Sequence, residues 1–164
     1  MKTMQDLVAG LVGLLEEQEA LIRRLIELGR EETRALRKED LARLSVLVAE
    51  QERSSQELGR LEARRWALQQ EISRRLGRSA SEVSLQELAE QAGPGGRELE
   101  QVVVRLRRSS EELRELNRIN RTLVHQALAY INRVLGALGS QAARYDGEGQ
   151  FVAEGERSRV NTVV

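Results

Sequence analysis

The feature that most constrains this chain is a double stripe of apolar residues near its start. Leu7, Leu11, Leu14, Gln18, Leu21, Leu25 and Leu28 recur at alternating steps of four and three. That is the seam spacing of a coiled coil. Val8, Val12, Leu15, Ile22 and Ile26 form a second stripe beside it. The combined face is too wide for one partner helix, so the pattern predicts a bundle of three long helices. Gly10 and Gly13 would let a neighbouring helix come close. The first helix is expected over residues 3–37.

The rest of the chain repeats the theme. Asp40 is placed to cap a second helix over residues 40–76, after basic Arg34, Arg37 and Lys38 at the end of the first. Its inward stripe reads Leu41, Leu44, Leu47, Val48, Leu58, Leu61, Leu68, Ile72 and Leu76, interrupted by Gln51, Ser54, Ser55 and Arg65. Gly77 suits its end. Ser84 and Glu87 form a capping-box pair that opens a short connector helix over 85–92. Gly93-Pro94-Gly95-Gly96 stops it. A third long helix is expected over 97–145, with a stripe of Leu99, Val102, Val103, Leu106, Leu113, Leu116, Asn120, Leu123, Val124, Ala127, Ile131, Val134, Leu135, Leu138 and Ala142. Periodicity ends there, so 1–145 reads as one helical-bundle domain and 146–164 as a flexible tail. The fold class is all-α: an elongated antiparallel bundle with coiled-coil-like packing. Only 2% of residues are aromatic, which a thin bundle filled by Leu, Ile, Val and Ala tolerates.

Unequal helix lengths point to a surface. The first two helices would each be roughly 50–55 Å long and the last roughly 70 Å. With level starts, the last helix outruns its neighbours, and Ala127, Leu128, Ile131, Val134, Leu135 and Leu138 face water or a partner. An exposed apolar stripe of that kind marks an interaction site. A register shift, or a break at Gly136, would instead bury it. Asn117 and Asn120 sit on or beside the inward stripe. They either fix helix register or bond a partner's backbone.

Little supports chemistry. The chain holds no cysteine and one histidine, His125, so neither a thiolate metal site nor a His-based catalytic pair is available. Adjacent acids such as Glu16/Glu17, Glu31/Glu32 and Glu111/Glu112 read as solvated faces carrying ion pairs. The glycines around Pro94 match no phosphate-binding loop. No cofactor, metal or enzymatic activity is expected. Lys plus Arg and Asp plus Glu number 26 each, so no whole-molecule field favours nucleic acid. The patch Arg105, Arg107, Arg108 is neutralised by Glu98, Glu100, Glu111 and Glu112 and lacks interleaved aromatics. The uncharged run Leu7–Leu15 is too short to span a bilayer. Glu16, Glu17 and Glu19 stand where a signal cleavage site would be, so the run reads as a buried helix start and secretion is not expected.

The stretch Leu116-Asn117-Arg118-Ile119-Asn120-Arg121-Thr122-Leu123-Val124 resembles the LNxxNxxLI-type motif of the FlgN-like flagellar export chaperones. Asp40–Leu61 with Arg64 resembles that family's second-helix pattern, and Tyr145-Asp146-Gly147-Glu148-Gly149 its tyrosine-then-glycine signature. The resemblance covers nearly the whole chain in order. It implies a cytosolic, non-catalytic chaperone that binds the C-terminal helical region of hook–filament junction proteins. Such a chaperone prevents their early assembly and delivers them to the type III export apparatus, with export-gate or ATPase components as further partners. It places cargo contact on Asn117, Asn120, Leu123 and Val124 and the continuation through Ala127, Leu128, Ile131, Val134, Leu135 and Leu138. The alternative is a structural coiled-coil or tethering protein, a homo-oligomer that self-associates through the C-terminal helix.

Overall fold

The computed structural model describes residues 2–79, 81 and 83–142, with side chains described up to residue 139. The flexible tail expected over 146–164, and the signature around Tyr145, lie outside the described residues. Among the described residues four α-helices follow in chain order: α1 Met4–Lys38, α2 Leu41–Arg75, α3 Leu85–Gln91 and α4 Gly96–Ala142, with a 3-10 turn at Gly93–Gly95 between the last two. No strand occurs among the described residues. The all-α bundle expected from the sequence is the architecture found, and each helix boundary inside the described residues lies within one residue of its expected place, while the end expected at residue 145 lies outside them.

Local chemistry explains the boundaries. Thr3 and Asp6 close a capping box at the start of α1: the Asp6 N–H donates to Thr3 Oγ1 at 3.1 Å and the Thr3 N–H to Asp6 Oδ2 at 2.7 Å. Asp40 caps α2 as expected, its Oδ1 accepting from the Arg43 N–H at 2.9 Å. Glu39, between the two helices, takes the left-handed conformation (φ 56°) and reverses the chain in two residues. Ser84 and Glu87 form the reciprocal box that opens α3. The start of α4 depends on Gly96: a Cβ there would lie 2.1 Å from the Ala89 carbonyl oxygen. Only a hydrogen at that position lets the corner between α3 and α4 close this tightly.

The chain divides into two units, Met1–Arg121 and Thr122–Val164. In the first unit, α1 is the central element. Helix α2 runs antiparallel along one side of it: Arg24 meets Glu50, Arg64 meets Glu17, and Arg43 meets Glu31. The α4 segment up to Arg121 runs parallel to α1 along the other side, with Arg105 against Glu16 and Glu19, and Arg30 against Glu112. Adjacent acids on α1 thus serve two different neighbours, Glu16 facing α4 and Glu17 facing α2. The double stripe of α1 is wide because two helices cover it.

The core is densest where α1 begins. Leu7, Val8, Leu11, Val12 and Leu15 pack with Ile72, Val83, Leu88, Ala89, Leu99, Val102 and Val103. Leu11 and Leu15 are fully buried, each stabilising the fold by about 1.5–3 kcal/mol relative to exposure. Val83 is also held by its carbonyl, which accepts from the Gln69 amide at 3.1 Å. A smaller cluster of Leu28, Ala35 and Leu47 closes the α1–α2 turn.

The structure corrects three details. Leu41 is 78% exposed and Val48 54%, although both were expected inward. At 100° per residue they fall about 100–120° from Leu47 around the helix, off the seam through Leu47, Leu61 and Ile72. Gly13 has nothing within 4 Å of where a Cβ would stand, so no helix approaches there. At Gly10 the close neighbour is the Leu68 side chain, 3.3 Å from such a Cβ.

Candidate functional site

Two features occupy the region singled out by sequence, one in each unit. The first is a polar layer that links the three long helices within the first unit. Asn120 is only 3% exposed. Its Nδ2 donates to the Gly29 carbonyl at 2.8 Å and to Glu32 Oε2 at 3.1 Å. Its Oδ1 lies 2.5 Å from Thr33 Oγ1, which is also 3.0 Å from the Gly29 carbonyl. The hydroxyl has one proton and serves the shorter contact. The same Glu32 oxygen accepts from Gln51 Nε2 at 2.7 Å, carrying the network to α2.

This geometry requires the α1 and α4 backbones to be close. A Cβ on Gly29 would stand 2.7 Å from Leu116 Cδ2. Glycine at 29 therefore admits Leu116, and one turn on the Asn120 amide reaches the Gly29 carbonyl. A buried amide satisfied by three partners fixes one register, since sliding α4 by a turn would strand both its donors. Sequence reasoning found Asn120 but missed Gly29, Glu32, Thr33 and Gln51. The available signal was a glycine within an otherwise strong helix former, a position that costs stability unless packing requires it.

The second feature lies on α4 in the second unit. The helix continues through Gly136 and Gly139 without a break. Val124, Ala127, Leu128, Ile131, Val134, Leu135 and Leu138 are all exposed, Leu135 at 60% and Leu138 at 56%. Their spacing places them on one face, within roughly 60° either side of Ile131 at 100° per residue. Tyr130, 60% exposed, lies beside this face and was not anticipated. Leu123 is half-buried and Asn117 exposed. Asn117 lines a groove with Leu58 and Leu113 above Ile22. Of the ten positions expected to meet a partner, Asn120 alone is buried; its amide serves the bundle interior.

The surface around the stripe is chemically plain. No aspartate or glutamate occurs between Glu115 and Asp146. His125 is exposed. No group of metal-ligating side chains occurs among the described residues, and no described helix is long and apolar enough to cross a membrane. The arrangement can bury apolar surface.

Comparison with known protein families gives a match over most of the chain. A family model described as "FlgN protein" matches residues 1–152. No curated protein and no solved structure matches. The match spans both the polar layer and the exposed stripe, and the chain belongs to the FlgN family of flagellar export chaperones.

Proposed function

We propose that this chain is a cytoplasmic chaperone that buries the terminal amphipathic helix of hook–filament junction proteins on the exposed stripe of α4. In this role it blocks their early assembly and hands them to the type III export apparatus. The observation that carries the reading is the run Val124, Leu128, Ile131, Leu135 and Leu138, exposed on one helix face. Leaving that much apolar side chain in water is unfavourable by about 25 cal/mol per Å². A partner helix with matching spacing recovers it. No nucleotide is needed, because sequestering the cargo's apolar end opposes its self-assembly by mass action.

Asn120 has a different part in this reading. Its buried amide holds α4 against α1, and the cargo contacts fall to the exposed positions. Asn117, on the surface groove beside Leu58 and Leu113, remains available to a partner's backbone.

The test is calorimetry with a peptide from the C-terminal region of a junction protein. Ile131→Asp and Leu135→Asp should each abolish binding while circular dichroism shows helicity retained. Unchanged affinity in both variants would place the site elsewhere. The alternative, self-association through the same helix, predicts a dimer by light scattering that persists when cargo is added.

A further inference from the structure

The exposed face of α4 is wider than one helix requires. In heptad terms Leu128 and Leu135 occupy a positions, and Val124, Ile131 and Leu138 d positions. Ala127 and Val134 fill the g positions, where a two-stranded coil carries charge. The e positions are His125, Asn132 and Gly139. A face of a, d and g residues spans roughly 120° at 100° per residue, whereas a strict a/d seam is the narrow stripe that suits one partner. The same chain calibrates the comparison. In the first unit the buried residues of α4 itself, Leu99, Val102, Val103, Ser109 and Asn120, span a similar arc of roughly 120°, and that face meets α1 together with Ile72 of α2 and Leu88 and Ala89 of α3.

Charge argues against a second copy as the occupant. Inside the first unit, arginine–glutamate pairs cross between α1 and each neighbour. Two copies of the α4 end could form none, because no carboxylate occurs from residue 116 to residue 145.

We infer that the partner covers this stripe with two helices packed side by side, so that α4 becomes the third member of an intermolecular three-helix bundle. This rests on the proposal that the stripe is the cargo site, and it specifies the shape of the cargo: a helical pair rather than a lone helix. One partner helix packs on the edge formed by Ala127 and Val134, the other on the edge formed by Leu128 and Leu135, and both meet over Ile131 and Leu138.

The experiment compares the two edges. Val134→Asp, Leu128→Asp and, at the centre, Ile131→Asp are titrated against a full-length junction protein, and separately against a peptide of its C-terminal helix alone. Circular dichroism confirms helicity in each variant. The expected result is that each edge variant weakens the full-length protein by at least about tenfold. The peptide should bind more weakly than the whole protein and respond to one edge only. If the whole protein responds at one edge, or the peptide binds as tightly as the whole protein, a single helix suffices and the two-helix inference is overturned. If Ile131→Asp also has no effect, the cargo reading itself falls. A dimer formed by the chaperone alone and weakened by these variants would identify a second copy as the occupant.

Discussion

Asn120→Asp exchanges an amide for a carboxylate of nearly the same shape and should be far more damaging than its size suggests. The amide nitrogen donates to the Gly29 carbonyl at 2.8 Å and to Glu32 Oε2 at 3.1 Å. Both contacts become oxygen against oxygen. Losing a neutral hydrogen bond costs about 1 kcal/mol, and losing one to a charged group about 2 kcal/mol. The new carboxylate also faces the Glu32 carboxylate. Two such charges about 4 Å apart repel by about 4 kcal/mol at an effective dielectric of 20. The pair can escape part of that by taking up a proton, so the total expected at pH 7 is about 3–5 kcal/mol. The proton gives the prediction its sign. A carboxylate pair that binds a proton more tightly when folded loses stability as pH rises. The variant's deficit should therefore shrink between about pH 7 and pH 5, in a range above ordinary carboxylate titration. Urea unfolding followed by circular dichroism at several pH values measures this. Asn120→Leu, which removes the polar group without adding charge, should show no such pH dependence. A deficit below about 1 kcal/mol, or one independent of pH, would refute the account of the polar layer.

Further outcomes follow from the caps and the glycines. Gly96→Ala should destabilise by at least about 2 kcal/mol, because its Cβ meets the Ala89 carbonyl oxygen at 2.1 Å. A Cβ at Gly59 would meet nothing within 4 Å, so Gly59→Ala should stabilise by about 0.5–1 kcal/mol in the same urea unfolding measurements. Ser84→Ala should cost about 1 kcal/mol by removing a helix cap. The Ser84 backbone N–H, followed by its side chain, holds the Glu87 carboxyl below its usual range. The Thr3 backbone N–H does the same for Asp6, and the Arg43 guanidinium for Glu31. Because these folded-state values are depressed, their stabilisation is present above about pH 4 and is lost as pH falls through the lowered values. Glu87→Gln should flatten part of that acid limb in a pH series of unfolding midpoints.

The fold was legible because each long helix announces itself twice, through its stripe and through its ends. The turn at Glu39-Asp40, the box at Ser84–Glu87 and the glycine run before α4 are local chemistry, and local chemistry is written in adjacent residues. What could not be read was which flank of α2 faces inward. Leu41 and Val48 are apolar, yet they lie off the seam, and only the packing of α2 on α1 decides that. The polar layer was half legible. Asn120 stands out in an apolar stripe, but its partners Gly29, Glu32 and Thr33 lie about ninety residues earlier, and no spacing rule links them. Periodicity gave the apolar face of α4 through Leu138 and unequal helix lengths pointed to its exposure, but only the register of packing decides between that and burial. That is why Asn120 and Leu135, on one predicted stripe, meet such different surroundings.

Amide hydrogen exchange of the full chain, with and without a full-length junction protein, tests the central claim most directly. The account predicts that cargo slows exchange across α4 from Val124 to Leu138, where the apolar stripe is exposed in the free chain, and leaves the outer face of α2 around Leu41, Val48 and Trp66 unchanged. Protection at that α2 face, with none between Val124 and Leu138, would contradict it.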